Sequence, residues 1–428
     1  MSGESKAVTF QSPAEGIVSF VFFPPSAMLG PSVRLCDVTQ FYSSRSGGVR
    51  RYLMEKRRYI ERETEDEHHL IVPGEKTEHI REGRLHTFTV ASPRVDQTSR
   101  YRVLLNTPAV REYLRQARPD LIESGDPYHL AWSALRAGRE LFIPVLGFYH
   151  SHFPDAYLRT ILKYCGPFLR DVTLAYAQDY IVRLYGQFAT TLVPSEHLRN
   201  LLDDWGVPNA VAVKLGVDTT AFYPGPRDTA LREKLGIPQD AVLLLYVGRL
   251  AREKNIATLL EAFLRLRQKG ERNYWLLVVG DGPLRRLLPE VREKTGALQW
   301  QSFVNGNADL ARYYRAADLF VHPGTVETFG LVSLESQASG CPVAGIRGSS
   351  MDANIAVGLD LWAGQNSPEA LEAAIERFIA SDLAAMGALA SERITARFAW
   401  PVVFGELWRH YRAALAKPGF ASGKSLSE

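Results

Sequence analysis

Twice along the chain, short segments nearly continuous in apolar and β-branched residues alternate with longer runs of helical period. The first set reads VRLCDV, HLIVPG, PDLIESG, LFIPVLGFYHS, ATTLVPS and AVAVKLGVD; the second reads AVLLLYVGRL, YWLLVVGDG, LQWQSFV, LFVHPG and PVAGIRG. A strand without polar alternation has both faces covered, as in a parallel sheet flanked by helices. The Pro/Gly-rich FYPGPRD at 222–228 separates the sets. This pattern predicts an α/β chain of two Rossmann-like, doubly wound domains, 33–222 and 223–398, facing each other across a cleft, with ligands at the carboxyl ends of the strands. An N-terminal extension over 1–32, a C-terminal helix over 399–418 packing back toward the first domain, and a disordered tail over 419–428 complete the expected organisation.

Size agrees with two cores, since 428 residues exceed what one ordinary core supports. A formal charge of +3 leaves no nucleic-acid footprint. Cys36, Cys165 and Cys341 are far apart, without zinc or redox spacing, and are expected to pack as small apolar residues in a reducing cytoplasm. The early run IVSFVFF is too short and too acidic in its flank for a secretory signal, and nowhere do about 18 apolar residues run together. Any membrane contact is therefore expected from the surface, at the inner face. The stretch Arg45–Arg62 suits that contact: Arg45, Arg50, Arg51, Lys56, Arg57, Arg58 and Arg62 are interleaved with Tyr52, Leu53, Met54, Tyr59 and Ile60, so it reads as a basic amphipathic helix or as a solvated basic face. In the last helix, Trp400, Phe404, Leu407, Trp408 and Tyr411 recur at helical spacing and are expected to pack.

Five segments carry chemistry. In SRSGGVRRYL, Gly47 and Gly48 precede a helix, either as a turn or as a close approach to an anion. In YVGRLAREKN, Arg249 follows a strand and Lys254 precedes a helix, which offers two cations to a diphosphate. LLVVGDGP begins like a dinucleotide fingerprint, but Arg285 replaces the third glycine, which disfavours hydride transfer. In HPGTVETFGLVSLESQASG, the strand should end near Pro323 and the helix start near Gly330, with Glu327 in the loop and Glu335 inside an apolar helix, where a carboxylate needs a partner. Phe329, Gly330 and Leu331 would present amides there. In YHSH, His150 and His152 lack a third metal ligand at useful spacing, and no aspartate-x-aspartate motif occurs, so no metal or cofactor is expected.

In order along about residues 33–415, SGGV, YHSH, TLVPSEHLRNLL, LGVDTTAFYPG, YVGRLAREKN, VVGDGP, RAADLFVHPG and ETFGLVSLESQASGCPV resemble the retaining glycosyltransferases of family 4. Their fold is GT-B, and the most specific element is the E-x7-E pair Glu327 and Glu335. The resemblance implies that Arg249 and Lys254 hold the diphosphate of a nucleotide sugar. It places Glu335 on the ribose, and Glu327 with the Phe329, Gly330 and Leu331 amides beside the transferred sugar and phosphate. Val304 falls at the base, Gly47 and Gly48 in a loop closing on the diphosphate, and His150 near the reacting centre. It further implies metal-independent transfer of a hexose from a GDP-mannose or UDP-glucose type donor to a lipid, glycan or small molecule of the cell envelope. The lipid mannosyltransferase and sulfoquinovosyl-lipid synthase branch is the more similar one. A nucleotide-sugar epimerase and an inactive sugar-nucleotide-binding protein are the alternatives. Three segments depart from the family: GSSMDANI at 348–355, Ser302 in place of a glycine, and Lys214-Leu215 where an asparagine is usual.

Overall fold

The computed structural model describes residues 31–40, 42, 48–94, 102–150, 167–327 and 329–417. All but two residues of the expected extension, the tail, Arg45, Gly47, His152, Cys165 and Thr328 lie outside these. The chain divides into two compact units, residues 1–146 with 415–428, and residues 147–414.

The first sheet contains β1 (Arg34–Val38), β2 (Glu67–Gly74), β3 (Glu78–Glu82), β4 (Leu85–Ala91), β5 (Leu121–Ser124), β6 (Val145–Phe148), β7 (Thr190–Val193) and β8 (Ala210–Ala212), in the order β3-β4-β2-β1-β5-β6-β7-β8. β1 pairs in parallel with β2 and β5, and β2 with β4. The hairpin of β3 and β4 has no counterpart in the apolar segments of the sequence. Its strands, EHIRE and LHTFTVA, mix polar with apolar residues, β3 is largely exposed, and Gly83 turns between them at φ +60°. It adds an antiparallel edge strand to an otherwise parallel arrangement.

The second sheet follows the expected pattern throughout. β9 (Val242–Val247), β10 (Tyr274–Val279), β11 (Leu298–Gln301), β12 (Leu319–His322) and β13 (Val343–Gly345) run parallel in the order β11-β10-β9-β12-β13. Leu243, Leu244, Leu245 and Tyr246 of central β9 are completely buried, and each such leucine contributes roughly 1.5–3 kcal/mol. Asp318 fixes β12 beside β9: one carboxylate oxygen accepts from the Leu243 amide at 2.7 Å and from the fully buried Arg232 at 2.7 Å. The helix Trp400–Leu415 buries the predicted stripe of Trp400, Phe404, Leu407, Trp408 and Tyr411. Cys36 and Cys341 are buried free thiols, and burial pushes the Cys341 thiol up to about 12. Among the described residues, no helix is long and apolar enough to cross a membrane.

Candidate functional site

Chain direction along the second sheet reverses at β9. From it the chain moves outward through β10 to β11, then returns to β12 on the other side. Loops leaving the carboxyl ends of two such adjacent strands diverge and open a crevice, which is where doubly wound sheets bind ligands. The two loops are 248–255, after β9, and 323–330, after β12.

A network of side chains joins them. Asn255, in the left-handed region at φ +55°, donates from Nδ2 to the Pro323 carbonyl at 3.0 Å and to Asn366 Oδ1 at 2.7 Å. This holds the adjacent Lys254 against the second loop, where its ammonium pairs with Glu327 Oε1. His322, buried at the end of β12, accepts at Nδ1 from the Gly324 amide at 3.2 Å, which leaves Nε2 to face Glu327 Oε1 at 3.2 Å as a donor. Burial alone would raise the Glu327 pKa. The hydrogen bond from His322, together with Lys254, outweighs burial and holds it at about 2, so Glu327 is a carboxylate at neutral pH.

The helix Leu331–Ala338 has Gly330 as its N-cap, and among the described residues no side chain caps its first turn. Gly330 adopts φ +78°, and a Cβ there would meet Met351 Sδ at 2.6 Å. Met351 belongs to the divergent GSSMDANI segment, which forms a 3-10 turn over Ser350–Asn354 and backs the helix start. Asn354 Nδ2 donates to the Phe329 carbonyl at 2.7 Å, and Gln337 Nε2 donates to the Asn354 carbonyl at 3.0 Å. Within the helix, Glu335 is buried and accepts from Tyr314 Oη at 3.2 Å, the partner its sequence context demanded.

Arg249 is the open cation of the set. Its side chain is 67% exposed and lies 3.6 Å from Glu253, while its carbonyl accepts from Tyr246 Oη at 2.9 Å. The LLVVGDGP loop lies against it backbone to backbone, since a Cβ on Gly280 would fall 1.9 Å from the Gly248 carbonyl oxygen. Val304 follows β11, half-buried beside the exposed Phe303. His150 follows β6 and stacks its ring on Phe148 at 4.0 Å. Gly48 opens the helix Gly48–Glu63 in the first unit.

Lys254 and Glu327 are thus brought into contact, and Phe329, Gly330, Leu331 and Glu335 are arrayed along the helix start that follows. Sequence reasoning missed His322, Asn255 and Tyr246. A lone histidine ending the apolar LFVH is the one visible signal among them.

The basic face expected over residues 45–62 needs correction. Lys56 is buried between Asp37 at 2.8 Å and Glu123 at 3.0 Å, and Arg57 is buried and donates to the His86 carbonyl at 3.0 Å. Of the described cations on this helix, only Arg58 and Arg62 are exposed, because the others turn wholly or partly inward.

Two family models match in sequence order. "Glycosyltransferase Family 4" matches residues 46–221, and "Glycosyl transferases group 1" matches residues 227–392. The chain is 30% identical over 349 residues to the GDP-mannose-dependent alpha-(1-6)-phosphatidylinositol dimannoside mannosyltransferase of Mycobacterium tuberculosis, covering 81% of this chain and 88% of that one. It is 34% identical over 243 residues to the alpha-monoglucosyldiacylglycerol synthase of Streptococcus pneumoniae, covering 54% and 53% respectively. Among solved structures, the sucrose-phosphate synthase of Thermosynechococcus elongatus superposes with a TM-score of 0.68 at 21% identity, over 89% of this chain and 100% of that one, a likeness of fold.

Proposed function

The chain belongs to the GT-B glycosyltransferases, in the branch of the lipid mannosyltransferases, and we propose that it is a retaining, metal-independent hexosyltransferase acting on a lipid acceptor at the cytoplasmic face of a membrane. The donor is a nucleoside-diphosphate hexose of the GDP-mannose or UDP-glucose type. GDP-mannose is favoured by the name of the mycobacterial relative, and a lipid acceptor by both relatives' names.

The observation that carries this reading is the junction of the β9 and β12 loops, where Lys254 meets Glu327 beside an uncapped helix start. A departing nucleoside diphosphate accumulates negative charge. In the proposed site Arg249 and Lys254, with the Phe329, Gly330 and Leu331 amides, receive that charge as preorganised donors, so no divalent ion is needed. Glu335 takes the ribose hydroxyls, Val304 lies at the base, and Glu327 accepts from hydroxyls of the transferred sugar. His150 stands near the reacting carbon. The bond from the sugar C1 to the phosphate oxygen breaks, the acceptor oxygen bonds C1 on the same face, and the acceptor's proton passes to the departing phosphate oxygen. Glu327, already paired, is a binding carboxylate rather than a nucleophile.

A thermal-shift screen of GDP, UDP and ADP sugars identifies the donor, because a ligand of the native state raises the melting temperature with its concentration over its affinity. With that donor and diacylglycerol- or phosphatidylinositol-based acceptors, the product should carry an α-linkage by NMR, formed equally fast without added Mg²⁺ or Mn²⁺. A β-linked product, or an absolute need for either ion, refutes the corresponding part of the proposal. Absence of both transfer and slow donor hydrolysis would leave a sugar-nucleotide-binding protein instead.

A further inference from the structure

The first unit holds a second cluster of chemistry-bearing side chains that the transfer reaction does not use. Glu67 and His69 stand two residues apart on one face of β2, and His86 lies directly opposite His69 on parallel β4. One ligand atom from each of the three lies within 4.8 Å of the others. His69 Nε2 is 3.2 Å and His86 Nε2 is 2.8 Å from the same oxygen, Glu67 Oε1. Both nitrogens are nevertheless buried without a hydrogen bond from any of the described residues. They converge toward one place instead of pairing with the carboxylate.

The far edges of both imidazoles are tied down. His69 Nδ1 is 2.9 Å from Tyr113 Oη, and His86 Nδ1 is 3.0 Å from His79 Nε2, which itself lies 3.2 Å from Tyr113 Oη. With Nδ1–H donating to these oxygen and nitrogen partners, each Nε2 lone pair is left facing Glu67. Outer hydrogen bonds of this kind set the tautomer and aim the ring in histidine metal sites. The two rings stack at 4.4 Å with planes 20° apart, which keeps the nitrogens on the same side.

From this geometry we propose that Glu67, His69 and His86 bind a divalent transition-metal ion of the zinc class. Two imidazoles and one carboxylate are a ligand set for zinc and not for magnesium or calcium, which take oxygen ligands. Metal–ligand bonds of 2.0–2.1 Å in a tetrahedron place ligand atoms roughly 3.3 Å apart, close to the two separations from Glu67 Oε1. The Glu67 side chain is 32% exposed, whereas both histidines are buried, so the ion reaches the site from the carboxylate side, where water completes its coordination. Bound there, the ion ties β4 to β2 and steadies the β3–β4 edge. The site belongs to the first unit, and its test is independent of the donor residues in the second.

The full chain, stripped by a chelator and dialysed, should take up one Zn²⁺ per chain in competition with a chromophoric chelator. Co²⁺ should give visible d–d bands of a nitrogen/oxygen site, and Zn²⁺, but not Mg²⁺, should raise the melting temperature. The double variant His69→Gln/His86→Gln should lose the bound ion and the cobalt bands, while His410→Gln retains both. Glu67→Gln, at a partly exposed position and so safe for folding, should weaken zinc binding by at least about ten-fold with an unchanged circular dichroism spectrum. Stoichiometric zinc in the double variant, wild-type affinity in Glu67→Gln, or no stoichiometric zinc in the wild-type chain overturns the proposal.

Discussion

Each unit has a lysine paired with carboxylate, Lys56 in the first and Lys254 in the second, and the two lysines occupy opposite situations. Lys56 is 1% exposed and touches Asp37 and Glu123; Tyr52 donates to Glu123 at 3.0 Å, and His68 Nε2 lies 2.5 Å from Asp37. Burial pushes the Asp37 carboxyl up, and Lys56 with His68 pull it further down, so that it stays ionised. Lys254 is 28% exposed, has Glu327 as its one carboxylate partner among the described residues, and shares its loop with the open Arg249. A closed, saturated lysine holds strands together. One half-open lysine with an exposed cation beside it has capacity left for an anion. Burial with saturation makes the difference.

Removing each lysine separates these roles. Lys56→Ala strands two buried carboxylates and should cost about 3–5 kcal/mol in urea unfolding, since breaking a buried pair leaves charge uncompensated. A loss below about 1 kcal/mol would erase the contrast. Lys254→Ala should change stability far less but weaken binding of the nucleoside diphosphate by about 1.5–3 kcal/mol, read by calorimetry, with Glu335→Ala similar through the ribose. Unchanged affinity in both variants would remove the proposed donor site. The smallest effect concerns pH. Glu327 titrates at about 2 against an ordinary 4.5, so its contribution to stability is complete above 4.5 and disappears as the pH falls toward 2. The stability gap between wild type and Glu327→Gln should therefore shrink below about pH 4.5. At neutral pH, Glu327→Gln should lower turnover while nucleotide affinity stays nearly intact, and a gap that widens in acid would contradict the pairing.

Much of the second unit was legible in the sequence because its signals are local. The apolar run LFVHPG and the following glycine placed a strand end near 323 and a helix start near 330, and β12 ends at His322 while the helix starts at Leu331. The need of Glu335 for a partner followed from its apolar neighbours. What was not legible depends on distant residues. Lys56 looks like a solvated helix cation until Asp37 and Glu123, 19 and 67 residues away, arrive on neighbouring strands. The β3–β4 hairpin mixes polar and apolar residues because its edge strand faces water, so a search for buried parallel strands passes it by. The pairing of His86 with Glu67 and His69 comes from strand register, not from spacing along one segment. His322 meets Glu327, and Asn255 meets Pro323 and Asn366, only in the fold, which residue type alone does not reveal.

Asn255, with one amide reaching Pro323 and Asn366, acts as a splint between the β9 and β12 loops. The freedom those loops would otherwise have is surrendered when the chain folds, not when a ligand arrives. Donor capture at the proposed site therefore should carry little ordering entropy, and loosening the splint should appear as a less favourable binding entropy with the same contacts still made.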